Sequence, residues 1–337
     1  MYFAFTDDQK MLRDTVREIL QRECPPDVVR AAWEGRTDGA RGVWDTLAET
    51  GMIGMTASEE AGGMQMSELG WVLPLEEAGY AALPGPIVDT AAVGIPLLEA
   101  AGTGEQKERW LGPAAGGEVR IAMSFEDQAL VAHAASADLL IAERGGGAYC
   151  VPITEVSVSP ERSVDRSREP ARVAFEAGAQ YRMRGDVDMD ALMDRSRDRA
   201  ALGTAAQLIG LCRRMLGMTV QYAKDRQQFG KPIGAQQAVK HRLANALIAQ
   251  EFARPMVYRA AWSMATSAPE RRIDVSLAKI YAAEAAAFVA KQALQVHGAI
   301  GYTIEYDLHM WMKRAWALAA AHGDCAHHRE RVGRHIL

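Results

Sequence analysis

What the sequence lacks narrows its function first. The four cysteines, Cys24, Cys150, Cys212 and Cys325, lie far apart with no C-x-x-C pair. That spacing argues against a zinc site or a disulfide framework and for scattered reduced thiols in a cytoplasmic protein. No apolar run approaches the roughly 20 residues that a membrane span needs. The opening Met1-Tyr2-Phe3-Ala4-Phe5 has no basic region followed by an apolar stretch, so no secretory signal is expected. Basic residues are not in excess: 38 Lys and Arg stand against 43 Asp and Glu, for a net charge of -5. A general electrostatic case for nucleic acid is therefore absent. There is no internal repeat and no low-complexity tail. What is present is apolar material, 49% of 337 residues. That is ample for a buried core in one large or two to three small domains, since domains centre on about 100–150 residues.

Three regions differ in texture. The first is helical. Thr6-Asp7-Asp8-Gln9 fits a capping box, and Met11, Leu12, Val16, Ile19 and Leu20 follow at helical spacing. Pro25-Pro26 ends that helix. Trp44, Leu47 and Ala48 begin a second stripe closed by Gly51, and a loop with Gly62-Gly63 follows. An apolar helix covers about Met66 to Ala82, with Pro74 predicting a kink or break. Glu105-Gln106-Lys107 up to Leu111 predicts a short helix with a solvated face. The middle region changes character. Val119 to Ser124, Leu139 to Ala142, Tyr149 to Ile153 and Val173 to Phe175 are short and β-rich. Gly145 to Gly147, Ser157 to Pro160 and Arg166 to Pro170 separate them.

The last region is helical again. Leu202, Ala205, Leu208, Ile209, Cys212, Leu216 and Val220 form one apolar stripe that breaks at Gly230-Lys231-Pro232. Further helices are expected over about Gln236 to Ser267, kinked at Pro255, over Ile273 to Val296, and over Ile304 to Ala321. The expected fold is mostly α with a small β-domain. An N-terminal helical domain spans residues 1–117, a middle antiparallel β-domain 118–186, and a C-terminal four-helix bundle 187–337.

Two segments carry chemistry. The first is Asp225-Arg226-Gln227-Gln228-Phe229-Gly230-Lys231-Pro232-Ile233-Gly234. Arg226 and Lys231 near a helix C-terminus fit ordinary C-capping. They equally fit a diphosphate site, where a guanidinium forks onto phosphate oxygens and Phe229 supplies an apolar wall. The second is Gln295-Val296-His297-Gly298-Ala299-Ile300-Gly301-Tyr302-Thr303. Gly298 and Gly301 permit backbone that a side chain forbids, and Gln295 can bond a ribose or diphosphate. Alone, this segment is also a plain helix-to-helix turn.

Together the two segments resemble the acyl-CoA dehydrogenase family. Arg226 to Gly230 resembles its Arg-x-x-Phe-Gly motif, and Gln295 to Gly301 its Gln-x-x-Gly-Gly-x-Gly motif. Phe5-Thr6-Asp7-Asp8-Gln9, Glu59-Glu60-Ala61-Gly62-Gly63 and Glu105-Gln106-Lys107 to Leu111 resemble its first helix, its Glu-x-x-Gly-Gly loop and the end of its first domain. The resemblance implies FAD at a subunit interface. It also implies an acyl-CoA substrate, α,β-desaturation, and an electron-transfer flavoprotein as acceptor. In the family these motifs reach a neighbouring subunit's FAD. By resemblance those roles fall to Arg226, Gln228, Phe229, Gln237, Gln295 and Gly298. Ala299 stands where the family has its second glycine.

Elsewhere the chain departs from the family. The usual catalytic glutamate sits in a Tyr-Glu-Gly-Thr run, and here the chain reads Ala321-His322-Gly323-Asp324. The alternative glutamate position falls at Ala200, beside Ala201. The flavin-cradling Thr-Glu-Pro and Gly-Ser-Asp become Ala122-Met123-Ser124-Phe125-Glu126-Asp127-Gln128 and a Ser136-x-Asp138 remnant. Tyr149-Cys150-Val151-Pro152-Ile153 replaces the Trp-Ile-Thr strand.

An intact half-site for a neighbour and a degraded one for itself resemble the shorter subunit of heteromeric (α2β2) actinobacterial acyl-CoA dehydrogenases. Several of those act on steroid side-chain CoA thioesters, and there a partner supplies the glutamate. The competing readings are a homo-oligomer using His322 as base, or a non-catalytic structural paralogue. His322, His327 and His328 fall at offsets that share no helical face, so a metal site is not expected. Asp324 is expected as a cap, Arg329 as a surface charge, and the Gly145 to Gly147 run as a hairpin.

Overall fold

The computed structural model describes residues 4–336. The expectation on Met1 to Phe3 lies outside them. The backbone divides into two compact units. One comprises Met1–Leu20, Val72–Leu83 and Thr204–Leu337, the other Gln21–Trp71 and Pro84–Gly203.

Helix α1 spans Asp7–Glu23 and opens on the expected capping box. The Thr6 N–H donates to Gln9 Oε1 at 2.9 Å and the Gln9 N–H to Thr6 Oγ1 at 3.3 Å. Val16, Ile19 and Leu20 are buried, but Met11 is 65% exposed and does not join them. The Pro25-Pro26 pair is both a stop and a start. Pro26 opens α2, Pro26–Trp33, at a position where the missing N–H has no partner to lose. Helix α3 is Asp38–Glu49. Helix α4, Glu68–Tyr80, runs without interruption through Pro74. It is buried along 71–79, so packing all round overrides the local cost of proline. A π-helical segment, Val88–Gly94, then leads into α5, Ile95–Ala101. Helix α6, Gly104–Ala115, starts on a Thr103–Gln106 capping box.

The middle region holds β1 (Ile121–Ser124), β2 (Leu139–Arg144), β3 (Gly147–Pro152), β4 (Ser157–Pro160) and β5 (Ala171–Ala174). Pairs β2–β3 and β4–β5 are antiparallel, as expected. The β1–β2 pair is parallel, with Ile121 opposite Leu139 and Ser124 opposite Ala142, which corrects the wholly antiparallel expectation. Residues 125–138 supply the crossover that a parallel pair requires. Ser157 to Pro160, expected as a separator, is strand β4. Its side chains are mostly exposed, and only Val158 packs on the apolar core of the middle region. Gly145 and Gly146 turn the β2–β3 hairpin at φ of 56° and 69°.

Helix α7 spans Met189–Asp225, α8 Gln237–Ala265, α9 Arg271–His297, α10 Leu308–Ala320 and α11 Cys325–Ile336. The C-terminal region thus holds a fifth helix beyond the four expected. Helix α9 packs against α8, α10 and α11. Helices α4 and α7 approach closely at Gly210, where a Cβ would stand 1.9 Å from the Glu76 carbonyl oxygen. A buried charge cluster joins the same helices. Arg213 Nη1 donates to both Glu76 and Glu77 at 2.8 Å, and Arg17 and Arg254 pair with Glu77 and Glu76. The Tyr258 hydroxyl donates to Glu76 at 2.7 Å.

Candidate functional site

Helix α7 ends in a tight hairpin. The Arg226 N–H donates to the Tyr222 carbonyl at 2.9 Å, and the Ile233 N–H returns to the Arg226 carbonyl at 2.8 Å. Between them β6 (Gln227–Gln228) pairs with β7 (Lys231–Pro232). Phe229 and Gly230 form the turn at φ of 53° and 78°. Positive φ is unfavourable for a bulky residue, and Phe229 is also 92% exposed. A large apolar ring held in strained backbone and aimed into solvent points to contact with another molecule. The Arg226 guanidinium has no ion-pair or hydrogen-bond partner among the described residues, and the exposed side chains of Gln228 and Gln237 likewise have none there.

Helix α9 ends at His297, and a one-turn 3-10 segment, Gly298–Tyr302, follows. Gly298 adopts φ 66°, ψ -141°, a conformation essentially reserved for glycine. Gln295, Gly298, Ala299 and Ile300 are exposed, and Tyr302 and Ile304 extend this apolar rim. The two turns meet through one ring pair. Tyr222 stacks on His297 with centroids 4.3 Å apart at 24°, and the Tyr222 hydroxyl donates to the His297 carbonyl at 3.4 Å.

His322 occupies a third turn, between α10 and α11, at φ 52° and half-buried. Buried side chains fasten this turn. Lys279 Nζ donates to the Ala319 carbonyl at 2.9 Å and the Gly323 carbonyl at 2.8 Å. His328 Nε2 donates to the His322 carbonyl at 3.1 Å, which leaves Nδ1 to accept from the Ser276 hydroxyl at 3.2 Å. Burial, and then Lys279, pulls His328 down to about 3, so it is neutral. Asp324 accepts from the His327 N–H at 2.8 Å and caps α11, as expected. Arg329 pairs with Glu284 on the surface. Among the described residues, no group of three or more His, Cys, Asp or Glu is placed to hold a metal ion. Among the described residues, no helix is long and apolar enough to cross a membrane.

Comparison with known proteins decides the family. The model named "Acyl-CoA dehydrogenase, N-terminal domain" matches residues 6–118, and "Acyl-CoA dehydrogenase, C-terminal domain" matches 190–337. Acyl-CoA dehydrogenase IpdE2 of Mycolicibacterium smegmatis is 32% identical over 311 residues, spanning 92% of this chain and 93% of the relative. The chain belongs to the acyl-CoA dehydrogenase family. Its fold recurs in the ChsE4-ChsE5 complex of Mycobacterium tuberculosis (TM-score 0.86, 24% identity, 100% and 99% of the two chains covered). It recurs also in the Tcur3481-Tcur3483 steroid ACAD (TM-score 0.86, 23% identity, 98% of each chain covered).

Against that family, the segment after β1 is engaged within the chain. Arg197 pairs with both oxygens of Glu143 and lies over the Phe125 ring at 5.2 Å. Glu143 accepts from the Glu126 N–H at 3.1 Å, and Glu126 from the Gly145 N–H at 3.0 Å. Phe125 is 1% exposed. Asp138 accepts from the Arg120 N–H at 2.9 Å, and the Ser136 hydroxyl donates to the His133 carbonyl at 3.3 Å. Ala200 and Ala201 are fully packed.

Sequence reasoning missed Tyr222, Lys279 and the supporting role of His328. For Lys279 a signal existed. It is the lone lysine on the stripe Val275, Lys279, Ala282, Ala286, a charge at a core position that demands partners. Tyr222, one turn before Arg226, shares its helix face, but its contact with His297 is not local in sequence.

Proposed function

We propose that this chain is the shorter subunit of an FAD-dependent heteromeric (α2β2) acyl-CoA dehydrogenase, lending half of the FAD site to a partner that carries the catalytic glutamate. One observation carries the reading. The side chains of Arg226, Gln228, Gln237 and Gln295 at the bundle turns have no hydrogen-bond or ion-pair partner among the described residues, whereas Glu126, Asp138 and Glu143 beside β1 are engaged inside the chain.

The turns suit a dinucleotide. Arg226 meets the diphosphate with a charged fork, Phe229 walls the cofactor, Gln228 and Gln237 reach across the interface, and Gln295 with Gly298 holds the ADP portion. FAD, when bound, supplies the hydride acceptor for α,β-desaturation of an acyl-CoA thioester. The partner's glutamate takes the α-proton, because His322 replaces that carboxylate here and the alternative position is a packed alanine. A steroid side-chain CoA is the proposed substrate class, and an electron-transfer flavoprotein the acceptor. The ChsE4-ChsE5 complex and the Tcur3481-Tcur3483 steroid ACAD support a two-chain assembly and this class.

The test is expression alone and with the dehydrogenase-like chain that co-purifies with it. Colourless protein alone and yellow, active protein together are expected. Arg226→Ala should strip flavin from the assembly, at a loss of about 1.5–3 kcal/mol for a charged hydrogen bond. Yellow, active protein from this chain alone defeats the reading.

A further inference from the structure

Two segments far apart in sequence face solvent with unpartnered polar groups, and a single aromatic cluster lies beneath both. Tyr222 is in the last turn of α7, and its carbonyl holds the Arg226 N–H. His297 is the last residue of α9, directly before Gly298. Their rings stack at 4.3 Å, and Tyr306 closes the cluster, with its ring 4.8 Å from His297 and 6.0 Å from Tyr222. His297 is 4% exposed. Its Nδ1 lies 2.8 Å from the Ala293 carbonyl, which can only accept, so Nδ1 carries the proton. Nε2 is then a bare acceptor, buried and without a hydrogen-bond partner among the described residues. The ring is thus fixed in one tautomer and one orientation by contacts inside the chain. The stack and the Tyr222 hydroxyl bond to the His297 carbonyl join the residue that holds the Arg226 N–H to the residue before Gly298.

We propose that Tyr222 and His297 are positioning residues that lock the hairpin at 226–232 to the turn at 298–302, so the two present their groups to the dinucleotide as one rigid unit. The inference rests on the dinucleotide reading of these turns. Neither residue touches the cofactor in this account. Each acts through its neighbour, Tyr222 through Arg226 and His297 through Gly298.

Two measurements on the purified assembly, stripped of flavin, test it. In an FAD titration, His297→Leu should weaken binding about two- to tenfold, the worth of an aromatic stack. His297→Phe, which can still stack on Tyr222, should recover most of that loss. Combined with Arg226→Ala, His297→Leu should cost less than the product of the single effects, because coupled sites are not additive. In hydrogen exchange without FAD, His297→Leu should speed exchange at the amides of Gln227, Gln228 and Lys231. Tyr222→Leu, the second variant should His297→Leu fail to fold, should speed it at Gly298 to Gly301. Exchange that rises only in the altered residue's own turn overturns the coupling, as do equal losses for Leu and Phe at 297. Failure of the underlying reading shows separately, as an FAD affinity unchanged by Arg226→Ala, while the exchange arm still decides the coupling.

Discussion

Lys279 Nζ, on a side chain 1% exposed, donates to the Gly323 carbonyl at 2.8 Å and so ties α9 to the turn that follows α10. Its second bond, to the Ala319 carbonyl, puts a cation on the last turn of α10, where the helix dipole favours one. Lys279→Met keeps the length and removes both bonds. The expected loss is at least about 1.5–3 kcal/mol, the worth of one hydrogen bond from a charged donor. Urea unfolding reads it, and an unchanged midpoint contradicts the role.

His328 gives stability a pH dependence of definite sign. Its folded value, about 3, lies below the ordinary 6.5, so the unfolded chain takes up the proton first. Stability falls as pH drops from 6.5 towards 3, by up to about 1.4 kcal/mol per pH unit for this one group. Between pH 6.5 and 5 His297, which burial also pulls down, and Asp89, which burial pushes up to about 6, contribute as well, so the His328 share is the difference between parent and variant in denaturant unfolding. His328→Asn should be less stable at pH 7 and shallower across that window. An unaltered slope speaks against His328 as its source.

The buried cluster on α4 adds a second, more acidic limit. Burial pushes the Glu77 carboxyl up, but Arg17 and Arg213 outweigh it and hold the group below its ordinary 4.5. A depressed carboxylate contributes stability that is complete above 4.5 and is lost as pH falls below it. Arg213→Met leaves two buried carboxylates short of a partner. The expected cost is about 3–5 kcal/mol, the range for breaking a buried pair. A melting temperature within error of the parent is the contrary result.

Phe229 separates function from stability. Its side chain is 92% exposed and its φ is 53°, so Phe229→Gly removes no packing and relieves an unfavourable backbone. The variant should fold with stability within about 0.5 kcal/mol of the parent. Its assembly should retain less FAD after gel filtration. Destabilised protein with undiminished flavin is the reverse of this expectation.

Much of the fold was legible because its signals are local. The Thr6–Gln9 box, the helical stripes and the Gly145–Gly146 hairpin each declare themselves within a few residues. The failures share a cause too. Pro26 opens α2 because a first-turn proline loses no hydrogen bond, and the sequence looks the same for a stop. Helix α4 continues through Pro74 because tertiary burial decides it. Strand β4 carries a single apolar residue, Val158, too short an alternation to register, and the parallel β1–β2 pairing is set by a crossover. At the candidate site, Arg226, Phe229 and Gly298 stood out as motif residues. The ring pair Tyr222–His297 and the Lys279 clasp did not, since each joins helices far apart along the chain.

On the proposed function this chain serves a flavin housed by a partner, and a flavin count on the purified assembly tests that most directly. Half as many FAD molecules as total chains, falling sharply with Arg226→Ala, is the predicted result. One FAD per chain, or an unchanged count in the variant, contradicts the account.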